Sequence, residues 1–275
     1  MTIPRGNGLI LLAAAIVVVN GFFPAVWILF TSLKSEAELV SKPITWWPHD
    51  PTLANYVQAF TDQPLLRYLG NSFAVAVLST ILSLFVASLA AYAVARLNLR
   101  HRRLILTCIV ASSMFPLVTL LVPIFQTMRS LNLLNTYTAL VLPYTVLNLP
   151  VCTLVLVSFF QSIPRDLENA AMIDGCTRLG ALWRVVVPLA APGVFTAGIL
   201  AFVNAWDEFL LALSLNASAS MRTLPVGITL YQGEFTFPWP IISAALVVAI
   251  VPVAVLIAVF QERVVGGLTQ GGLKG

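Results

Sequence analysis

The sequence predicts an all-α integral membrane protein with six transmembrane helices, built as a single domain over residues 1-275. Three observations carry that expectation. Hydrophobic residues make up 59% of the chain and charged ones 9%, whereas a soluble globular domain carries about 25% charged residues. With a mean hydropathy of +0.93, 275 residues hold more apolar surface than a water-surrounded core can hide, so lipid must solvate most of it. Finally, the apolar residues gather in six runs, each near the ~20 residues that a helix needs to cross a bilayer.

The first run spans Gly8 to Thr31. Arg5 alone precedes it and no small-residue cleavage site follows, so it is expected to be a retained span rather than a signal peptide. A polar stretch follows, in which Pro43, Pro48, Pro51 and the paired Trp46 and Trp47 predict an ordered loop at the membrane interface, where indole rings prefer to lie. The second span, Asn71 to Ala95, is rich in Ala and Ser, which let helices approach closely. The loop RLNLRHRR separates it from a third span, Leu104 to Met128, containing Pro116 and Pro123. The fourth, Tyr137 to Phe160, contains Pro143 and Pro150; prolines within spans predict kinks. The fifth runs from Val185 to Leu213 and the sixth from Ile241 to Phe260, before a glycine-rich tail, GGLTQGGLKG.

Between the fourth and fifth spans lies a charged segment, residues 162-188. Arg165, Asp166, Glu168, Asp174, Arg178 and Arg184 all fall within it. At about 2.5–3.5 kcal/mol for each ionised group at bilayer depth, embedding it would cost more than about 10 kcal/mol, so it must lie in water. Pro164 suits a helix start, Asp166 and Glu168 sit near the positive end of the dipole, and Gly175 is a helix stop. A short amphipathic helix between two spans is a docking surface for another protein.

Orientation follows from the basic residues. With the N-terminus inside, Arg5, Arg96, Arg100, Arg102, Arg103, Arg165, Arg178, Arg184, Arg263 and Lys274 are cytoplasmic. Lys34, Lys42, Arg67, Arg129 and Arg222 are then outside, so both termini are expected in the cytoplasm. The net charge of +4 is thereby explained by topology, without nucleic acid as a partner. Cys108, Cys152 and Cys176 have no disulfide or metal-ligand spacing, and His49 and His101 both fall in loops. No G-x-x-x-x-G-K-S/T phosphate loop, G-x-S-x-G elbow or H-E-x-x-H pair occurs. A chain with neither nucleotide site nor nucleophile cannot drive uphill transport alone, so an ion gradient or a partner must supply the energy.

The segment ENAAMIDG (Glu168 to Gly175), followed after nine residues by VVVPLAAP (Val185 to Pro192), resembles the cytoplasmic EAA loop of the permease subunits of binding-protein-dependent ABC importers. TSLKSEAE, PTLANYVQAF, YLGNSFAVA, AAYAVARL, FFQSIPRDLENAAMIDG, NAWDEFLLALSL and GLTQGGLKG, in that order, are similar to the carbohydrate, maltose-permease branch of that family and cover most of the chain.

The resemblance implies a MetI-like permease core in a bacterial plasma (inner) membrane. It implies a second homologous permease, two ATPase subunits and an extracytoplasmic solute-binding protein, with surrounding membrane lipid. The chain itself is then no enzyme and holds no cofactor, since ATP and Mg belong to the partner ATPase subunits. It further implies that the loop is a coupling helix docked in a groove of the ATPase, with Glu168, Asn169, Ala170, Ala171, Asp174 and Gly175 as the carried-over positions. Aligned on the glycine, Asn169 stands where the motif often has a glutamate that pairs with an ATPase arginine. Either its amide replaces that ion pair, or neighbouring Glu168 serves, or the contact lies elsewhere.

In the fifth span, Asn204, Asp207 and Glu208 are spaced i, i+3, i+4, on one helix face. Ionisable groups within a span face a cavity or a partner. These could bind sugar hydroxyls, with Trp206 or Phe209 stacking on a sugar face, as a substrate path; the alternative is that they mark the wet outer end of the span. The expected substrate is a di- or oligosaccharide such as maltose or trehalose, or a sugar-like osmolyte, with glycerol phosphate or a related polyol as the alternative. The absence of Lys or Arg deep in a span favours a neutral saccharide. An ion-coupled secondary transporter, with charges buried mid-span, and an intramembrane enzyme, with catalytic groups at depth on several helices, fit the sequence less well.

Overall fold

The computed structural model describes residues 8–233 and 236–272, and every regular element among them is helical. The chain forms two compact units, divided at Leu66/Arg67, Val226/Gly227 and Pro252/Val253.

The first unit begins with α1 (Gly8–Ser32), whose apolar residues from Ile10 to Phe23 are all exposed within this chain. Past its end the loop is ordered, as its Pro and Trp content predicts. α2 (Glu36–Leu39) and α3 (Ala54–Asp62) flank it. Trp46 packs edge-on to Trp27 of α1 at 5.6 Å, and Trp47 packs against Phe30 at 4.7 Å. Lys34 is fully buried; its ammonium lies 5.1 Å from the Trp27 ring and donates to the Thr45 carbonyl. The Asn55 amide donates to the carbonyls of Ser32 and Lys34 at 2.8 and 2.9 Å, satisfying backbone groups where α1 ends.

The second unit contains most of α4 (Leu65–Arg96), then α5 (Arg102–Ser113), α6 (Leu117–Ser130) and α7 (Tyr137–Ser162). α8 (Arg165–Ile173), α9 (Arg178–Ala181), a π-helical turn (Leu182–Val186) and α10 (Val187–Leu189) lead into α11 (Ala191–Asp207) and α12 (Leu210–Leu215). α13 (Leu224–Thr229) and α14 (Trp239–Gly272) each cross a division between the units. The core of the second unit joins α4, α7 and α11 through Ala87, Ala91, Tyr92, Cys152, Leu156, Phe160, Ala197 and Ala201, with Leu182, Val186 and Ala190 beneath. Small residues set the spacing, as expected for α4. Ser79, Ser83 and Ala87 are fully buried, and a Cβ on Gly193 of α11 would fall 2.3 Å from the Phe159 ring of α7. Asn71 ties the start of α4 to the later loop, donating to the carbonyls of Ser220 and Arg222 at 2.9 and 2.8 Å while accepting from Tyr137 at 2.8 Å.

The expected spans are found with three differences. The third is not one helix: α5 and α6 meet at 90° across Met114 to Pro116. Pro116 has no N–H to give and disfavours the helical region for Phe115, whereas Pro123 stays inside α6. The fifth begins earlier than Val185, at Arg178, and bends by 83° between Leu189 and Ala191. Pro188 and Pro192 bracket that bend. The Pro188 ring would crowd the Arg184 carbonyl, and the π turn just before it, where the Val187 N–H reaches the Leu182 carbonyl, widens the helix there. Among the described residues, four unbroken helices are thus long and apolar enough to cross a membrane, or six spans if each bent pair counts as one. Lastly, α14 continues past Phe260 to Gly272, taking in most of the glycine-rich tail. Arg5, Lys274 and the final residues of that tail lie outside the described residues.

Candidate functional site

α8 is fixed at both ends by its own sequence. Pro164 stands just before the first turn, and Asp166 and Glu168 lie in that turn, where the dipole favours negative charge. At the other end Gly175 adopts φ +93°. Its N–H bonds the Met172 carbonyl at 3.1 Å and the Cys176 N–H bonds the Ala171 carbonyl at 2.9 Å, a Schellman stop that needs a residue at ease in the left-handed region. The expected stop at Gly175 is therefore present.

The side chains of α8 divide around its axis. Leu167, Asn169, Ala170, Ile173 and the following Asp174 are exposed, Ile173 by 86%. Ala171 is half-buried. Glu168 faces the opposite way and is buried. It accepts a hydrogen bond from the Tyr92 hydroxyl, and its Oε2 lies 3.2 Å from Arg96 Nε. Arg96 Nη2 in turn donates to the Ile163 carbonyl, just past α7, at 2.9 Å. Arg165, Arg178 and Asn169 line the same cavity of about 400 Å³. The carboxylate grouped by sequence with the outward positions is thus spent inside the chain, because a buried carboxylate needs a cation and a donor. The Asn169 amide remains exposed.

The polar cluster is also rearranged. α11 ends at Asp207, and Glu208 leaves it in extended conformation, ψ 127°, so the expected single face of Asn204, Asp207 and Glu208 is broken. Glu208 instead caps α12, accepting from the N–H groups of Leu211 and Ala212 at 2.8 and 3.1 Å and from the Tyr144 hydroxyl at 2.5 Å. Asn204 donates to Asn148 Oδ1 at 3.2 Å. Tyr144, Asn148, Asn204 and Glu208 share a cavity of about 230 Å³. Trp206 is not available to stack on a ligand: it is 3% exposed and lies flat on Phe202, 5.7 Å between ring centres. Asp207 and Phe209 are exposed.

Sequence reasoning missed Tyr92, Arg96, Tyr144 and Asn148. Asn148 was a visible signal, an amide inside an apolar run. Arg96 was read only as a marker of topology. The two tyrosines gave none, since an aromatic within a span is ordinary.

A family model described as binding-protein-dependent transport system inner membrane component matches residues 83–269. The chain is 75% identical over 270 residues to the sulfoquinovosyl glycerol transport system permease protein SmoH of Agrobacterium fabrum, covering 98% of this chain and 95% of that one. It is 37% identical over 270 residues to the trehalose/maltose transport system permease protein MalG of Thermococcus litoralis, covering 97% and 96%. Its fold is similar to that of a chain in the crystal structure of a bacterial ABC transporter involved in the import of the acidic polysaccharide alginate, with a TM-score of 0.80 at 21% identity over 95% of this chain and 99% of that one. The chain belongs to the family of binding-protein-dependent transport system inner membrane components, as a carbohydrate-type ABC importer permease.

Proposed function

We propose that this permease imports a sulfoquinovosyl glycerol-like sugar, together with a second permease, two ATPase subunits and a solute-binding protein. The 75% identity to a permease of that name, over 98% of the chain, is the observation that carries the reading. The more distant relative named for trehalose and maltose supports a sugar but not this one. α8 is the surface on which an ATPase docks, supported by the exposed apolar stripe of Leu167, Ala170 and Ile173 and by the excess of basic residues that puts this end, and both termini, in the cytoplasm. Asn169, Asp174 and the Gly175 turn flank that stripe. ATP and Mg are bound by the partner subunits.

Asn204, exposed and held by a hydrogen bond to buried Asn148, faces the sugar hydroxyls, with Asp207 exposed beside it. A sulfonate is a permanent anion, and the cavity holding these amides has no Lys or Arg in its wall. The chain therefore handles hydroxyls, and the anionic end is met by the partner permease. A neutral saccharide is the rival that the missing cations favour.

The test is uptake by the whole complex in liposomes with its binding protein inside an orientation-controlled assay. Sulfoquinovosyl glycerol should be carried, and excess trehalose or maltose should not compete. Transport of trehalose or maltose without transport of sulfoquinovosyl glycerol would overturn the substrate. Asn204→Ala should lower uptake about tenfold at unchanged complex assembly, the worth of one hydrogen bond; full uptake would remove Asn204 from the path.

A further inference from the structure

We infer that Tyr92, Arg96 and Glu168 form a rigid joint that makes α8 a lever on α4 and α7, so that these three are positioning residues for energy coupling. The inference rests on the docking role proposed for α8. α8 is nine residues long, and the only side chain it buries is Glu168. A helix so short is unstable alone, and no buried apolar side chain of its own anchors it. Half-buried Ala171 and Met172 rest against the turn that follows, and the polar contacts that fix its rotation about its axis are the pair that Glu168 makes, to Tyr92 and to Arg96. Both partners lie in the last turns of α4, one helical turn apart.

Arg96 does more than pair. Its Nε lies against Glu168 while its Nη2 takes the Ile163 carbonyl, one of the groups a helix end leaves without an intrahelical partner. One planar guanidinium thus holds the end of α4, the exit from α7 and the start of α8. Lysine, a single point charge, cannot make both contacts in that geometry. A buried ion pair adds little net stability, because desolvation offsets its attraction; here the Tyr92 hydroxyl and the Ile163 carbonyl, each hydrogen-bonded to one member, give it one defined arrangement. That is the property a force-transmitting joint needs. With the joint closed, a push on Leu167 or Ile173 moves α4 and α7; with it open, α8 turns in place.

The experiment uses the reconstituted complex and reads sugar imported per ATP hydrolysed. Glu168→Gln keeps the shape and removes the charge; it should cut that ratio at least threefold while the ATPase still co-purifies. Arg96→Lys should do the same, and Tyr92→Phe should have a smaller effect. An unchanged ratio in both Glu168→Gln and Arg96→Lys would overturn the joint. Loss of the ATPase from the Glu168→Gln complex would also overturn it, making Glu168 a docking residue. Ile173→Asp separates the two readings. If α8 docks the ATPase, this substitution should release it from the complex. If the ATPase stays, the docking role itself fails, whatever Glu168 does.

Discussion

Glu168 and Glu208 lie beside two breaks in the helical path of the second unit, and each accepts a hydrogen bond from a tyrosine of a distant helix, Tyr92 for one and Tyr144 for the other. The rest of each carboxylate is satisfied by different means. Glu168 has the Arg96 guanidinium, which ties it to α4 and the exit of α7. Glu208 pairs with no cation among the described residues; two N–H groups at the start of α12 take its charge, with the helix dipole behind them. The Arg96 guanidinium joins the end of α4 to the junction of α7 and α8, 67 residues on, whereas a helix cap only fixes the local bend. The first arrangement suits transmission between helices and the second suits holding a wall of a cavity in shape.

The largest effect that would break this contrast comes from Arg96→Ala. It leaves Glu168 buried without its ion-pair partner, with Arg165 and Arg178 only lining the cavity beside it, and should destabilise the permease by about 3 kcal/mol, read as thermal unfolding of the detergent-solubilised complex. Adding Glu168→Gln to that variant should recover more than half of the loss. A cost no larger than that of a surface substitution would erase the distinction between the two glutamates.

Glu208→Ala should cost less, about 2 kcal/mol, the upper range for losing a helix cap. Tyr144→Phe should cost about 1 kcal/mol in the same assay. If Glu208→Ala proved as damaging as Arg96→Ala, local capping would be as strong a tie as the ion pair.

A third carboxylate, Glu38 in the first unit, sharpens the comparison and gives the smallest effect. Burial pushes its pKa up, but hydrogen bonds from Thr45 and from the His49 backbone and ring, with Lys34 nearby, outweigh that and hold it below the ordinary value. A lowered folded pKa means that its stabilisation is complete above the unfolded pKa of about 4.3 and is lost as the pH falls through the folded one. Proteolytic protection of the loop from Leu33 to Leu53 should be flat from neutral pH down to about 5 and decline only below about 4. Glu38→Gln should remove that decline; a decline that persists in that variant would take the role away from this carboxylate.

Much of the architecture is written locally. The spans follow from apolar runs, the sharp bends from Pro116, Pro188 and Pro192, and the end of α8 from Gly175. The prolines predict kinks, and two of the bends they mark are sharper than a kink, at 90° and 83°. Pro116 breaks its span and Pro123 does not, because a break needs the neighbouring backbone to find other partners, and those come from packing. The loop of Trp46 and Trp47 was legible for the same reason as the spans: its prolines restrict the chain, and its indoles need a surface, which Trp27 and Phe30 supply.

The candidate site was legible as a place but not as a geometry. The order of residues by itself determined a membrane-embedded helical chain with a charged helix between two spans, since the cost of placing charge in lipid depends only on which residues stand in which run. The direction in which Glu168 and Glu208 face was decided by the tertiary structure. Their partners come from 76 and 64 residues away, and neighbouring positions on a helix differ by about 100°. No local pattern records which of Glu168 and Asn169 meets Arg96; packing of α4, α7 and α8 does.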